Sequence, residues 1–301
     1  MANHNAALLK LITRKPFRRT AVSATTSTDI LTKLELARTT QQPVCFSVPF
    51  GGYKHHQAPM APHLNWAEVF WLDYLKDYAS AILNDINWCP EGSTKISFAL
   101  SYVGGVLSFI NGADSEAQAD VYRQELAALC KLQSSDAITF ELVDIADFLG
   151  GADAALALTQ NNYQQLCDDK QNISNISSAQ LQSAARNIKP SELPLTAADI
   201  HDAALRCLAM ESIPTRRAFN KYGQHIQLSH VRGELSLHIG SCRTSVTQPW
   251  VGVGIIDNGL PRIVSTSQFR SGEWSLSSSH PALERQFCPS VFPGLGQHYS
   301  R

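Results

Sequence analysis

Strand-like and helix-like segments alternate along the first half of the chain. The apolar run at 43–50 has the β-branched and aromatic residues that are typical of a strand. Residues 66–86 then space their apolar side chains three and four positions apart, which indicates an amphipathic helix. The same two patterns recur at 95–102 and 116–132. Because strands that are separated by helices usually pair in parallel, this alternation predicts an α/β fold.

Shorter segments extend this pattern. Asn65 followed by Glu68 has the form of a capping box, which predicts that the long helix begins there. The run VLSFI at 106–110 predicts a short strand, and residues 137–149 predict a strand that runs into a short helix.

The second half of the chain has a different composition. Residues 152–195 are rich in Ala, Gln, Asn and Ser, which indicates small helices and exposed connectors, whereas 196–212 form a clear helical pattern. After His225 the sequence is strand-like. We therefore expect a mixed, mainly parallel, Rossmann-like sheet with flanking helices, plus a C-terminal antiparallel strand extension.

The expected domain organisation follows from length and charge. With 301 residues, 44% of them hydrophobic, the chain can bury a large core. Residues 1–28 contain basic but no acidic side chains, so we expect a flexible basic N-terminal arm, with a transit peptide as the alternative. Residues 29–280 are predicted to form a single catalytic α/β domain with a seam near 152–195, and 281–301 a C-terminal tail.

Composition also narrows the class of partner. A formal net charge of −1 provides no basic surface for nucleic acid, and no apolar run is long enough to suggest a membrane span. Seven scattered cysteines without a C-x-x-C motif are typical of reduced thiols. We therefore expect a cytoplasmic protein whose partners are small molecules.

The loop after the first strand is the first candidate site. It reads Gly51-Gly52-Tyr53-Lys54-His55. Glycines let backbone N–H groups approach an anion closely, and a lysine adds positive charge, so this loop could bind a phosphate group. Loops at strand ends line the ligand crevice in open α/β sheets. The alternative is a tight turn with a solvated lysine.

Two further candidates lie in the second half. Arg216 and Arg217 could hold a carboxylate or phosphate through paired hydrogen bonds, although arginines on a helix surface are often simply solvated. His230 shares a strand face with Ile226 and Leu228. It is therefore either a core histidine with a hydrogen-bond partner or a general base in a cleft.

The last strands carry additional candidates. Arg243 could anchor a carboxylate, and Trp250 is expected in the core or in a pocket wall. Gly252 and Gly254 leave one strand face bare, and such a face accepts either a closely packed helix or a flat ligand.

Three histidines after the first strand raise the question of a metal site. His55, His56 and His63 are potential metal ligands, but no carboxylate stands at a suitable spacing, so we expect no metal site.

Several of these segments carry a family resemblance. Ile226–His230, Gln248–Val251 and the turn at Asp257–Gly259 resemble, in order, the I-R-L-S-I-H strand, the T-P-W-H segment and the Asp-Gly turn of the DIT1/PvcA family of isocyanide synthases. Ala67-Glu68 is similar to the A-E helix start of that family. The order of elements matches along roughly residues 30–270.

The chain departs from the family pattern at three polar positions. Gly104-Gly105 stands where an Asp-Gly is expected, and Val251 replaces a histidine. The family's strand histidine falls one residue after His230, and a shift of one residue would place that side chain on the opposite strand face.

The resemblance implies a reaction. Isocyanide synthases condense an α-amino acid with the ketone of ribulose 5-phosphate and leave the nitrogen bearing a terminal carbon. We therefore expect an isocyanide synthase-like enzyme of the lyase or transferase type in natural-product biosynthesis, with no cofactor and with ribulose 5-phosphate as the candidate co-substrate. Two alternatives are a catalytically degenerate family member that acts as a binding or scaffold protein, and a His-dependent metalloenzyme.

Roles can be assigned on this basis. The expected catalytic residues are Lys54, His55 and His230. The expected substrate-binding residues are Gly51, Gly52, Tyr53, Arg216, Arg217, Arg243 and Trp250.

Overall fold

The structure is a computed structural model that divides into two compact units. It describes residues 2–88, 92–112, 114–168, 176–188, 195–211, 225–229, 232–237, 248–278 and 291–301. Unit 1 comprises Met1–Ser101, Tyr122–Val143 and Phe219–Arg301, and unit 2 comprises Tyr102–Val121 and Asp144–Ala218. The single domain expected over 29–280, with its seam and its tail, stays a prediction.

A four-stranded sheet forms the centre of unit 1. Its strands are β1 (Val44–Pro49), β2 (Ile96–Tyr102), β3 (Ile138–Asp144) and β4 (Ile226–Gln227), in the order β3-β2-β1-β4. Strand β1 pairs in parallel with both of its neighbours, β2 and β4. This arrangement confirms the mainly parallel α/β sheet that the alternating sequence predicts.

Helices contribute to the same hydrophobic core as this sheet. They are α1 (Ala2–Ile12), α2 (Ala24–Thr39), α3 (Trp66–Leu83) and α5 (Asp114–Gln133). The largest fully buried side chains include Trp71, Tyr78, Tyr122, Phe46 and Phe98. Burying one such aromatic ring stabilises the fold by about 1.5–3 kcal/mol. The core therefore fixes the positions of β1 and α3, which carry the candidate site.

The predicted capping box at the start of α3 is confirmed. The Asn65 side-chain oxygen accepts a hydrogen bond from the Ala67 N–H at 2.8 Å, and the Glu68 side chain accepts one from the Asn65 N–H at 2.9 Å. The Asn65 side chain also bonds to Gly252 and Gly254, so the same residue joins the helix start to the C-terminal strands.

The N-terminal segment differs from the flexible arm that its composition suggested. Residues 2–12 form helix α1, with Leu8 and Ile12 buried in the core. The Tyr78 hydroxyl donates a hydrogen bond to the Ile12 carbonyl at 3.0 Å. Apolar side chains four positions apart give this basic segment a buried face, which the charge pattern alone did not reveal.

The C-terminal strands form a second sheet in unit 1. It contains β5 (Gly252–Asp257), β6 (Leu260–Ser265), β7 (Ser275–Ser278) and β8 (Gln297–Ser300), in the order β6-β5-β8-β7, with helix α9 (Thr266–Ser271) after β6. The β5–β6 and β7–β8 pairs are antiparallel, as expected, and β5–β8 is parallel. The bare strand face packs on a helix, since a Cβ on Gly254 would collide with the backbone of Trp66 and Ala67.

Unit 2 is helical where the structure describes it. Its helices are α4 (Leu107–Asn111), a 3-10 turn (Ile145–Phe148), α6 (Ala152–Asp168), α7 (Ser178–Asn187) and α8 (Ala197–Glu211). Helix α4 corrects the strand predicted at 106–110. The Glu116 side chain accepts hydrogen bonds from the N–H groups of Gly105 and Leu107, which would otherwise be available to a strand ladder.

Among the described helices, none is both long enough and apolar enough to cross a membrane.

Candidate functional site

The loop that follows β1 is held in place by residues from distant parts of unit 1. Its Gly52 carbonyl accepts a hydrogen bond from Arg123 Nε at 2.9 Å, and the His55 N–H donates to the Trp250 carbonyl at 2.8 Å. Because β1 lies inside a parallel sheet, this loop leaves the carboxyl edge, where α/β proteins bind their ligands. The loop therefore delivers Lys54 and His55 to the expected edge of the sheet.

Lys54 is the centre of a buried polar group. Its Nζ donates to Glu68 Oε1 at 2.6 Å and to the Pro249 carbonyl at 2.9 Å. The Tyr122 hydroxyl also donates to Glu68 Oε1, at 2.9 Å, while the Asn65 N–H donates to the other carboxylate oxygen. Lys54, Glu68 and Tyr122 are called the lysine cluster below.

Burial sets the electrostatics of the lysine cluster. The side chains of Lys54 and Glu68 have no exposed surface. Burial lowers the pKa of Lys54 and raises the pKa of Glu68, in each case against the attraction of the partner. Burial likewise raises the pKa of Tyr122. Burial thus disfavours the charged forms of Lys54 and Glu68, whereas their mutual attraction and hydrogen bond favour them, and the ion pair differs from the neutral pair by one proton moved between Nζ and Oε1. The pair is therefore suited to internal proton transfer.

His55 and His56 follow directly after Lys54. Their rings stack with centroids 4.4 Å apart, and His55 is buried. The Gln57 N–H donates to His55 Nδ1 at 3.2 Å, so a neutral His55 carries its proton on Nε2. His55 is thus held in one tautomer beside the lysine cluster.

The glycine and aromatic residues of the predicted site shape the same loop. A Cβ on Gly51 would collide with the Trp250 ring, so only glycine fits there. Trp250 is buried, and its ring lies 4.6 Å from that of Phe50. Tyr53 is partly buried against the core, and Gly52 has a φ of 67°, which suits glycine.

The structure brings some predicted site residues together and leaves others undescribed. Lys54, His55 and Trp250 meet, through the Pro249 and Trp250 carbonyls. The predictions on Arg216, Arg217, His230 and Arg243 lie outside the described residues. The expectation that His230 is a catalytic residue together with Lys54 therefore stays a prediction.

The described part of the chain contains no group of three or more His, Cys, Asp or Glu side chains that could hold a metal ion.

Sequence reasoning missed the partners of Lys54. Glu68 was identified only as a capping residue, and Tyr122 is one buried position of an amphipathic helix. One feature of the sequence pointed to Glu68 as more than a capping residue. Ala67-Glu68 is similar to the A-E helix start of the DIT1/PvcA family. Its second role appears only after folding brings α3 against the β1 loop.

Unit 2 contains a separate carboxylate of interest. Asp144 Oδ1 accepts a hydrogen bond from the Gly104 N–H at 2.8 Å, and a Cβ on Gly104 would collide with Asp144 Oδ2. A carboxylate from the end of β3 thus occupies the space that an aspartate at position 104 would need. This replacement accounts for glycine where the resemblance leads one to expect Asp-Gly.

The two sheets and the loop at the edge of the first define an α/β protein with a buried polar cluster at a strand end. No protein-family model and no curated protein matches the chain. Among solved structures, the PvcA protein of Pseudomonas aeruginosa is similar, with a TM-score of 0.68 at 14% sequence identity. The match covers 99% of this chain and 99% of that one. The chain therefore has a PvcA-like fold.

Proposed function

We propose that this protein is an enzyme of the isocyanide-synthase type that acts on an α-amino acid or a derivative, with ribulose 5-phosphate as co-substrate. The observation that carries the proposal is the lysine cluster, a buried amine and carboxylate 2.6 Å apart at the end of β1. The PvcA-like fold over almost the whole chain and the ordered sequence resemblance support the same function.

The first step of such a reaction needs proton transfers. The amino group of the amino acid attacks the ketone carbon, a C–N bond forms, and the former ketone oxygen leaves as water. The nitrogen must lose protons, and the departing oxygen must gain them. Lys54 and Glu68 exchange one proton between them without changing the total charge of the pair, and Tyr122 donates a third hydrogen bond to the carboxylate.

The burial of Lys54 limits how a substrate can reach its amine. The Lys54 amine has no exposed surface, so a substrate reaches it only if the β1 loop moves. Gly51 and Gly52 lie within that loop, and small residues commonly absorb such changes. If Lys54 binds the phosphate group of the co-substrate, its hydrogen bond to Glu68 must likewise break.

A labelled product tests the proposed reaction. The protein is incubated with each proteinogenic amino acid and with ribulose 5-phosphate that carries ¹³C at the ketone carbon, and products are identified by mass spectrometry. The expected result is an isonitrile that contains the label. Absence of any labelled product with every amino acid overturns the proposal.

Matched variants connect the activity to the lysine cluster. Lys54→Met together with Glu68→Gln removes both charges while keeping similar volumes, and it is expected to abolish product formation. Lys131→Met, which changes an exposed lysine on α5, is the control and is expected to retain the activity of the wild type. Equal activity of the two variants contradicts the role of the cluster.

The complete burial of Lys54 favours one alternative, a binding or scaffold protein that keeps the fold without the chemistry. A thermal-shift series with ribulose 5-phosphate and amino acids separates the two functions. Stabilisation without turnover supports the binding protein, whereas turnover excludes it.

A further inference from the structure

A second pair of ionisable side chains lies beside the lysine cluster. His63 Nδ1 is 2.5 Å from Glu125 Oε1. His63 stands in the segment before α3, and Glu125 lies on α5, one helical turn after Tyr122. These two residues are called the His63–Glu125 dyad below.

The two members of the dyad differ in exposure. The Glu125 side chain is 10% exposed, and its second oxygen accepts a hydrogen bond from the Leu64 N–H at 3.0 Å. The His63 side chain is 33% exposed. Glu125 is therefore fixed at both oxygens, whereas the imidazole that it holds reaches solvent.

The geometry determines which ring nitrogen can accept a proton. A carboxylate only accepts hydrogen bonds, so Nδ1 of a neutral His63 carries the proton that it shares with Glu125. Nε2 then keeps its lone pair, and it makes no hydrogen bond to the described residues. A buried carboxylate that orients a histidine in this way is a common arrangement of a general base.

The dyad and the lysine cluster are attached to the same short segment. The consecutive N–H groups of Leu64 and Asn65 donate to Glu125 and to Glu68 respectively. Because Lys54 and Glu68 have no exposed surface, His63 is the most exposed member of this connected group. The segment His63–Asn65 therefore places a partly exposed imidazole next in the chain to the groups that hold the buried lysine cluster.

We propose that His63 is a further residue, beside the lysine cluster, that exchanges protons with the substrate, and that Glu125 is its positioning residue. This inference rests on the proposed function. In the condensation step, Nε2 accepts a proton from the substrate nitrogen as the C–N bond forms, and Glu125 stabilises the resulting imidazolium. That proton passes to the former ketone oxygen, which becomes the hydroxyl of a carbinolamine. A second proton follows the same route from the nitrogen to this hydroxyl, which leaves as water as the C=N bond forms, so the histidine ends in its neutral state.

The position of the proton on His63 is measurable without turnover. Long-range ¹H–¹⁵N correlation spectra of the ¹⁵N-histidine-labelled protein distinguish the two neutral tautomers, and His63→Gln assigns the signal. We expect the proton on Nδ1 in the wild type. A proton on Nε2 overturns the dyad whether or not the protein forms an isonitrile. If the wild-type protein forms no isonitrile, the proposed reaction is rejected. The tautomer seen in the spectrum then still supports or rejects the dyad on its own.

The kcat and KM values of variants distinguish a chemical role of His63 from a structural one. His63→Ala is expected to lower kcat by about 10²–10⁴-fold with little change in KM, and added imidazole is expected to restore part of the loss. Glu125→Gln is expected to lower kcat by a smaller factor, because it keeps the shape but removes the charge. His201→Gln, on α8, is the control. Unchanged kcat in His63→Ala, or a loss that imidazole does not relieve, overturns the proposal.

Discussion

Lys54 Nζ and Glu68 Oε1 lie 2.6 Å apart, and neither side chain has any surface exposed to solvent. The two residues come from different elements, the loop after β1 and the first turn of α3. An isolated charge at either position would be strongly destabilising, because water cannot compensate it. The pair therefore couples the position of the β1 loop to the position of the helix.

The first prediction concerns the loss of one partner. Lys54→Met leaves Glu68 buried without its cation, and it is expected to lower the free energy of unfolding by about 3–5 kcal/mol. Adding Glu68→Gln removes the remaining charge and is expected to recover part of that loss. Urea denaturation measures both variants. A double variant as unstable as the single one would show that the buried charge is not the cause.

The second prediction concerns Asn65. Asn65→Ala removes the cap of α3 and leaves the buried groups of Gly252 and Gly254 without their partner, so we expect a loss of about 3 kcal/mol. Ser23→Ala removes the exposed cap of α2 and is the matched control, with an expected loss of about 0.5–1 kcal/mol. Equal losses in a denaturation experiment would contradict a role for Asn65 beyond capping.

The third prediction concerns the contact between β5 and α3. Gly254→Ala places a methyl group against the backbone of Trp66 and Ala67, which cannot move aside as a flexible side chain would. We expect a destabilisation of at least about 2 kcal/mol, measured by thermal unfolding. In the control Gly296→Ala, the nearest atom is 3.6 Å from the new carbon and φ is −66°, so a change within about 0.5 kcal/mol is expected. Similar changes at both sites would exclude close packing as the cause.

The fourth prediction concerns pH. Burial, with a smaller contribution from Lys33, lowers the pKa of His225 from 6.5 to about 4. The unfolded chain therefore binds a proton below pH 6.5 that the folded protein does not bind, so protonation favours unfolding as the pH falls towards 4. Over this pH window, we expect the free energy of unfolding of His225→Gln to fall less steeply with decreasing pH than that of the wild type. The two slopes are expected to differ by the equivalent of up to about one bound proton. Parallel curves for the variant and the wild type would contradict the lowered pKa.

The parts of the fold that sequence analysis predicted are those set by local patterns. Strand β1 and helix α3 have the apolar spacing of their class, and Asn65 with Glu68 marks the helix start. The run at 106–110 was assigned to a strand because five apolar and small residues are too few to show a helical period, and the carboxylate of Glu116 that binds its N–H groups lies outside the run.

The candidate site was predicted in part, for a different reason. Lys54 was identified from its glycine-rich loop, but its partner Glu68 had a sufficient local explanation as a capping residue. Tyr122 and Glu125 are polar positions in an amphipathic helix, and no spacing rule separates them from solvated ones. Only the packing of α5 against α3 brings these side chains to Glu68 and His63. Contacts between residues that lie far apart in the chain produce no repeating pattern in the sequence, so they cannot be predicted from spacing.

The parallel pairing of Phe46 with Ile226 has a consequence for biosynthesis. At about 5–20 residues per second, a ribosome needs on the order of ten seconds or more to synthesise the chain between these two strands. During that time, one edge of β1 has not yet met its final neighbour, and such edges can join other chains. Translation speed through the middle of the message is thus expected to influence how much of the newly made protein escapes aggregation.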